Sequence, residues 1–89
     1  MIFDLQSFAE EAIENQTSNQ LRKGIRSLKK EIEEHLLKIE NPEENCKDWN
    51  LRDERAKKGL IRHWNHEIKK FSESIQNRID ELEKRGEKP

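Results

Sequence analysis

The amino-acid sequence predicts an all-α fold, a long antiparallel helical hairpin with a short N-terminal helix in a three-helix arrangement. Three observations carry that expectation. Large apolar residues recur three and four positions apart in three separate segments, the spacing that lines one face of a helix. Glycine and proline are scarce, at 3 and 2 in 89 residues, which argues against generic disorder, and Pro42 and Gly86 fall at the ends of two of those segments. The chain is 30% hydrophobic and 42% charged, a thin apolar supply that suits a small helical domain, an obligate oligomer, or a chain that orders fully on binding. At this length one domain spanning residues 1–89 is expected.

The first segment sets Leu5, Phe8, Ala9, Ala12 and Ile13 on one face and predicts a helix over 4–15, with Asp4 or Ser7 as its cap. The polar run NQTSN, Asn15 to Asn19, then competes for backbone hydrogen bonds and predicts a turn or kink. In the second segment Leu21, Ile25, Leu28, Ile32, His35 with Leu36, and Ile39 alternate steps of four and three, the period of a seam packed against a nearly parallel neighbour. That predicts a helix over 19–40, stopped by Pro42, because a residue before proline is pushed out of helical geometry. Gly24 lies inside it and costs about 1 kcal/mol relative to alanine, so it is either tolerated there or permits close backbone approach.

The connection NPEENCKDWNLR carries Trp49 and Leu51, and a tryptophan there suits a plug over the end of a helix pair. Asn50 or Asp53 can cap the third helix. Ile61, Ile68, Ile75 and Leu82 then recur every seven residues, with Leu60, Trp64, Phe71 and Ile79 beside them, predicting a helix over 53–85 and a frayed tail at 86–89. Pairing residue 40 with about residue 53 in an antiparallel hairpin, with the second helix about a dozen residues shorter, leaves the far end of the third helix uncovered. The first helix or a second copy of the chain is expected to cover it. Trp49, Leu51, Trp64, Ile79 and Leu82 are accordingly the candidate binding residues.

The charge balance excludes some functions. With 18 basic and 19 acidic residues the net charge is −1, so no global field recruits nucleic acid or an acidic membrane. The single cysteine, Cys46, makes neither an internal disulfide nor a cysteine-rich zinc site. The opening MIFDLQSFAEEAIE has no basic leader, so a secretory signal and a membrane span are not expected.

The stretch GLIRHWNHEIKKF holds His63, His66 and Glu67 at spacings that converge on one side of a helix, a minor candidate for a metal site, with His35 the possible fourth ligand. Ion-paired imidazoles on a solvated flank account for the same residues, and no metal or other cofactor is expected. Acid–base chemistry by His35 and His63 with Arg62 as cationic stabiliser would make a metal-independent nuclease, although a small bundle offers a groove rather than a closed cleft. Two basic strips, Arg22 to Lys30 and Arg52 to Arg62, would form a phosphate-binding groove if they met, but nearby glutamates favour solvated ion pairs.

The order GIRSLKKEIEEHLLKIENP, a short loop with a tryptophan, then GLIRHWNHEIKKF resembles a small helical module near the C-terminal ends of bacterial polymorphic toxins of the Rhs and contact-dependent inhibition kind. The resemblance spans Gly24 to about Ile79. It is carried by Ile25, Leu28, Ile32, His35, Lys38, Ile39, Asn41 and Pro42, then Trp49, then Gly59, Leu60, Ile61, Trp64, Glu67 and Ile68; His63 and His66 are not among them. It implies a bacterial delivery or self-recognition setting rather than a known reaction. Such modules usually end a very long chain, so this one is expected to be an excised domain, a stand-alone cassette or a cognate partner. The resulting expectation is a non-enzymatic protein–protein interaction module, cytoplasmic or delivered within a larger secreted toxin. Its expected partner is a toxin or immunity protein, with a homo-oligomer as a further possibility. The alternative is a small all-α toxin domain acting on nucleic acid through His35 and nearby Arg or Lys.

Overall fold

The computed structural model describes residues 13–89. In order, these form a 3-10 turn (Ile13–Asn15), helix α1 (Ser18–Glu40), the short helix α2 (Pro42–Asn45), a second 3-10 turn (Trp49–Leu51) and helix α3 (Glu54–Lys84). Among the described residues there is no strand, and α1 and α3 pack as an antiparallel hairpin. The expected helix over 4–15 lies outside the described residues except for 13–15, which form the first 3-10 turn.

Each boundary has a local cause. Thr17 caps α1 through a reciprocal box: the Gln20 amide donates to Thr17 Oγ1 at 3.1 Å, and the Thr17 amide donates to Gln20 Oε1 at 2.8 Å. The polar run at Asn15 to Asn19 therefore starts α1 as well as breaking the chain direction. At the other end Asn41 leaves helical geometry before Pro42, and its amide closes α1 by donating to the Leu37 carbonyl at 2.8 Å. Pro42 then opens α2, where its missing N–H is no loss.

Helix α3 begins with Asp53 Oδ1 accepting the Ala56 amide at 2.8 Å. It ends at Gly86, whose φ of 76° is the left-handed turn that glycine adopts freely. There the Glu87 amide donates to the Leu82 carbonyl at 2.8 Å and the Gly86 amide to that of Glu83 at 2.9 Å, the paired bonds of a Schellman ending.

The register differs from the expected one. Arg22 is level with Glu87, Gly24 with Arg78 and His35 with Phe71, so α1 lies alongside the C-terminal part of α3. His35 therefore does not face Leu60 to Trp64, and residue 40 does not meet 53. The connection is the reason: the second 3-10 turn lies over the first turns of α3, which overshoot the end of α1. Trp49 covers them by stacking on Trp64, with ring centroids 6.3 Å apart and planes 17° from parallel. The far end of α3, expected to be covered by the first helix or a second copy of the chain, packs against the start of α1 and against Ile13.

The core sits at that open end. Ile13, Leu21, Ile25, Ile75 and Leu82 are buried together, with Leu28, Ile32 and Ile79 packed against them. Ser74 and Arg78 are buried beside it, Arg78 Nη1 donating to the Ser74 carbonyl at 3.0 Å and to its Oγ at 2.5 Å. Gly24 explains itself here: a Cβ would lie 2.9 Å from Arg78 Nε, so glycine leaves room for the arginine to cross α1.

The expected frayed tail is also corrected. Glu87 accepts from the Ser18 hydroxyl and lies 3.4 Å from Arg22 Nη2, while Arg22 Nε donates to the Lys88 carbonyl at 3.0 Å. Arg85 donates through Nη2 to the Ile13 and Glu14 carbonyls at 3.3 and 3.2 Å, and through Nε to Glu81 at 2.8 Å. These bonds join the first 3-10 turn, α1 and the end of α3.

Candidate functional site

The turn end has a different construction. Trp49 and Trp64 are both buried, and Lys57 Nζ lies 5.7 Å from the Trp49 ring centroid, adding a cation–π contact over the stack. The loop is fixed on either side of Trp49. The Cys46 thiol donates to Asp48 Oδ1 at 3.2 Å, Arg52 Nε reaches the same oxygen at 3.4 Å, and the Leu51 amide donates to the Asp48 carbonyl at 3.0 Å. The Cys46 hydrogen bond first, then the Arg52 charge, hold the Asp48 carboxyl below its ordinary range. The tight 3-10 turn points Leu51 away from the stack, and the side chain is 88% exposed.

On the first turns of α3, Glu54, Arg55, Lys58, Gly59 and Arg62 line a shallow groove. Arg55, Lys58 and Arg62 are spaced three and four apart, which stacks three cations along one side of the helix. Gly59 lies among them and, among the described residues, has nothing within 4 Å of where a Cβ would be. Unlike Gly24, it accommodates no neighbour among the described residues. It leaves a gap between cationic side chains where a bound backbone or anionic group could approach α3 closely.

The five candidate binding residues separate. Leu51 is presented to solvent, whereas Trp49, Trp64 and Leu82 are buried and Ile79 packs on the core, so these four are corrected from contact surface to internal packing. Apolar character alone marks all five, and it does not tell a plug from a projecting anchor.

The histidines do not assemble one site. His35 is half-buried, its ring edge-on to Phe71 at 5.2 Å and 80°, and its Nδ1 lies 2.9 Å from the Glu31 carbonyl oxygen. A carbonyl only accepts, so Nδ1 carries the proton and holds the ring against α1. His63 Nε2 lies 3.7 Å from Glu67 Oε1 on an exposed flank, and His66 is exposed. Among the described residues no group of three or more His, Cys, Asp or Glu stands close enough to hold a metal. Since His35 packs at the level of Phe71, eight residues from His63, the two imidazoles are separated by about 12 Å along the α3 axis. Arg62 lies in the cationic groove, away from His35. The two basic strips fall at opposite ends of the hairpin and form no common groove.

Sequence reasoning passes over the Ser74–Arg78 pair and the open space at Gly59. The first has an i, i+4 signal; the second has none, because the two interior glycines look alike until the packing around them is known. Among the described residues no helix is long and apolar enough to cross a membrane. No protein-family model, curated protein or solved structure matches this chain.

Proposed function

We propose that this chain is a helical protein–protein interaction module of a bacterial polymorphic toxin system, with the turn end as its contact surface. One observation carries the choice of surface: a leucine 88% exposed, standing on a loop fixed by a buried tryptophan stack. An apolar side chain on a preorganised support loses little conformational freedom on binding, which favours it as an anchor. The cations Arg55, Lys58 and Arg62 on the first turns of α3 favour an acidic partner segment, and the gap at Gly59 allows that segment to approach closely. The toxin setting rests on the resemblance that spans Gly24 to about Ile79, and the partner would be a toxin or immunity protein, in the cytoplasm or on a larger delivered chain.

The alternative, a toxin domain cleaving nucleic acid, draws support from the same cations. It needs two imidazoles flanking one phosphate, however, and His35 and His63 stand two helical turns apart. Copurification from cells expressing the whole chain, with mass spectrometry of what is retained, identifies the partner. Leu51→Asp should then remove that partner while leaving stability within about 0.5 kcal/mol of wild type. A partner retained by Leu51→Asp and by Arg55→Glu would end this assignment of the surface. Nuclease activity abolished by His35→Leu with the fold intact would replace the reading with its alternative.

A further inference from the structure

We propose that the outer face of α1 is a self-association surface on which a second copy of this chain docks antiparallel, across a two-fold axis near residue 31. The seam of α1 faces α3, and the opposite side carries Lys23, Arg26, Lys29 and Lys30, then Glu33, Leu36, Leu37 and Glu40, all exposed. Leu36 and Leu37, at 49% and 53% exposure, are the large apolar residues that α1 leaves in water.

The charges on this face are segregated along the helix. From Lys23 to Lys30 there is no acidic residue, and from Glu31 to Glu40 the only base is Lys38. Arg26, Glu33 and Glu40 recur every seven residues, with Lys29 and Leu36 on one side of that line and Lys30 and Leu37 on the other, so the stripe runs straight along the helix. Turning a second α1 end for end about residue 31 sets Glu40 opposite Lys23, Glu33 opposite Lys29 and Lys30, and the leucine pair opposite Arg26. An arginine stem can cover apolar side chains while its head stays in water. Each contact occurs twice, as an isologous interface requires.

The self-complementarity selects the occupant and the direction. A parallel pairing of the same faces would set bases against bases and acids against acids, and like-charge juxtaposition excludes it. A different protein would need complementary charges, but it would give no reason for this face to complement its own reverse. From Lys23 to Glu40 the strip is about 26 Å long, and a helix face is roughly 10 Å across, which is well below the area of a stable dimer. The association is therefore weak, reversible and strongly screened by salt.

Sedimentation equilibrium of the whole chain over rising concentration, at low and at high salt, tests this together with two charge-reversed variants. Lys29→Glu with Lys30→Glu forms one variant, Glu33→Lys with Glu34→Lys the other; all four positions are exposed, and circular dichroism checks that helix content is kept. Wild type should dimerise at low salt and dissociate at high salt. Each variant alone should have at least about tenfold weaker self-association, equivalent to about 1.4 kcal/mol. An equimolar mixture of the two should recover a dimer containing one copy of each, because reversed acids then meet reversed bases. Leu51→Asp should leave dimerisation unchanged, which separates this surface from the turn-end contact. A wild type monomeric throughout, variants that dimerise as wild type does, or a mixture that stays monomeric would each overturn the proposal. So would dimerisation lost through Lys58→Glu, which lies on the other helix.

Discussion

At the open end of the hairpin Leu21 and Leu82 are fully withdrawn from water, and Ser18, Arg22, Arg85 and Glu87 tie three segments together. At the turn end the buried apolar residues are the two tryptophans, and Leu51 projects into solvent. Both ends draw on the same thin supply of apolar residues, but one encloses it and the other leaves a large side chain on display. In so small a chain, where total stability is about 5–15 kcal/mol, surface can be left for binding at one end only if the other end supplies the fold. Substitutions at the open end should therefore act on global stability, and those at the turn end on local order and contact.

The largest effect is expected at Leu82, which has no exposure. Leu82→Ala should cost about 3 kcal/mol by removing buried methyl groups and leaving a cavity, and chemical denaturation should show a lower midpoint with an unchanged slope. Trp49→Ala should cost less, about 2 kcal/mol, because the stack borders solvent and the loop can collapse onto Trp64. Its damage should also stay local: amide exchange should quicken through the connection and the first turns of α3, while protection near Leu21 and Leu82 persists. Equal loss of protection at both ends would show that they do not behave as separate regions.

The two interior glycines give a smaller but matched pair. Gly59→Ala should stabilise by about 0.5–1 kcal/mol, since alanine favours the helix and its Cβ meets open space. Gly24→Ala gains the same propensity but sets a Cβ 2.9 Å from Arg78 Nε, so it should destabilise despite that gain. Thermal melts of the two variants should move in opposite directions; a shared direction would mean that the arginine gives way without cost.

The smallest effect concerns pH. The Ser18 hydrogen bond first, then Arg22, hold the Glu87 carboxyl below its ordinary range at the open end, as Cys46 and then Arg52 do for Asp48 at the turn end. A carboxyl depressed on folding favours the native state at pH above its unfolded value, and that contribution is lost as pH falls through the lower folded value. Stability should accordingly decline below about pH 4, and Glu87→Gln should flatten part of that decline. An acid profile identical in wild type and Glu87→Gln would show that Glu87 contributes nothing to the acid sensitivity.

The two long helices are legible in the sequence because their apolar residues keep a period near 3.5 and their ends carry Pro42, Asp53 and Gly86, whereas the Thr17 cap lies inside the polar run that reads as a turn. Their register is not. Sliding one seam along the other by a heptad keeps apolar residues facing apolar residues, so periodicity leaves several alignments open. The choice among them depends on contacts distant in sequence: Arg78 crossing Gly24, Arg85 holding Ile13, and a connection that folds back instead of turning tightly. The same limit applies to the site. Trp49 and Leu51 are both visible as apolar loop residues, but only the 3-10 turn places one inside and the other outside.

Native-state hydrogen exchange on the unmodified chain tests the division between the two ends most directly, because it reads local opening along both helices at once. The slowest amides should lie between Leu21 and Leu28 in α1 and between Ser74 and Leu82 in α3, with faster, local opening from Glu54 to about Arg62. Uniform protection along α3, or slower exchange at the turn end than around Leu82, would contradict the assignment of stability to the open end and presentation to the other.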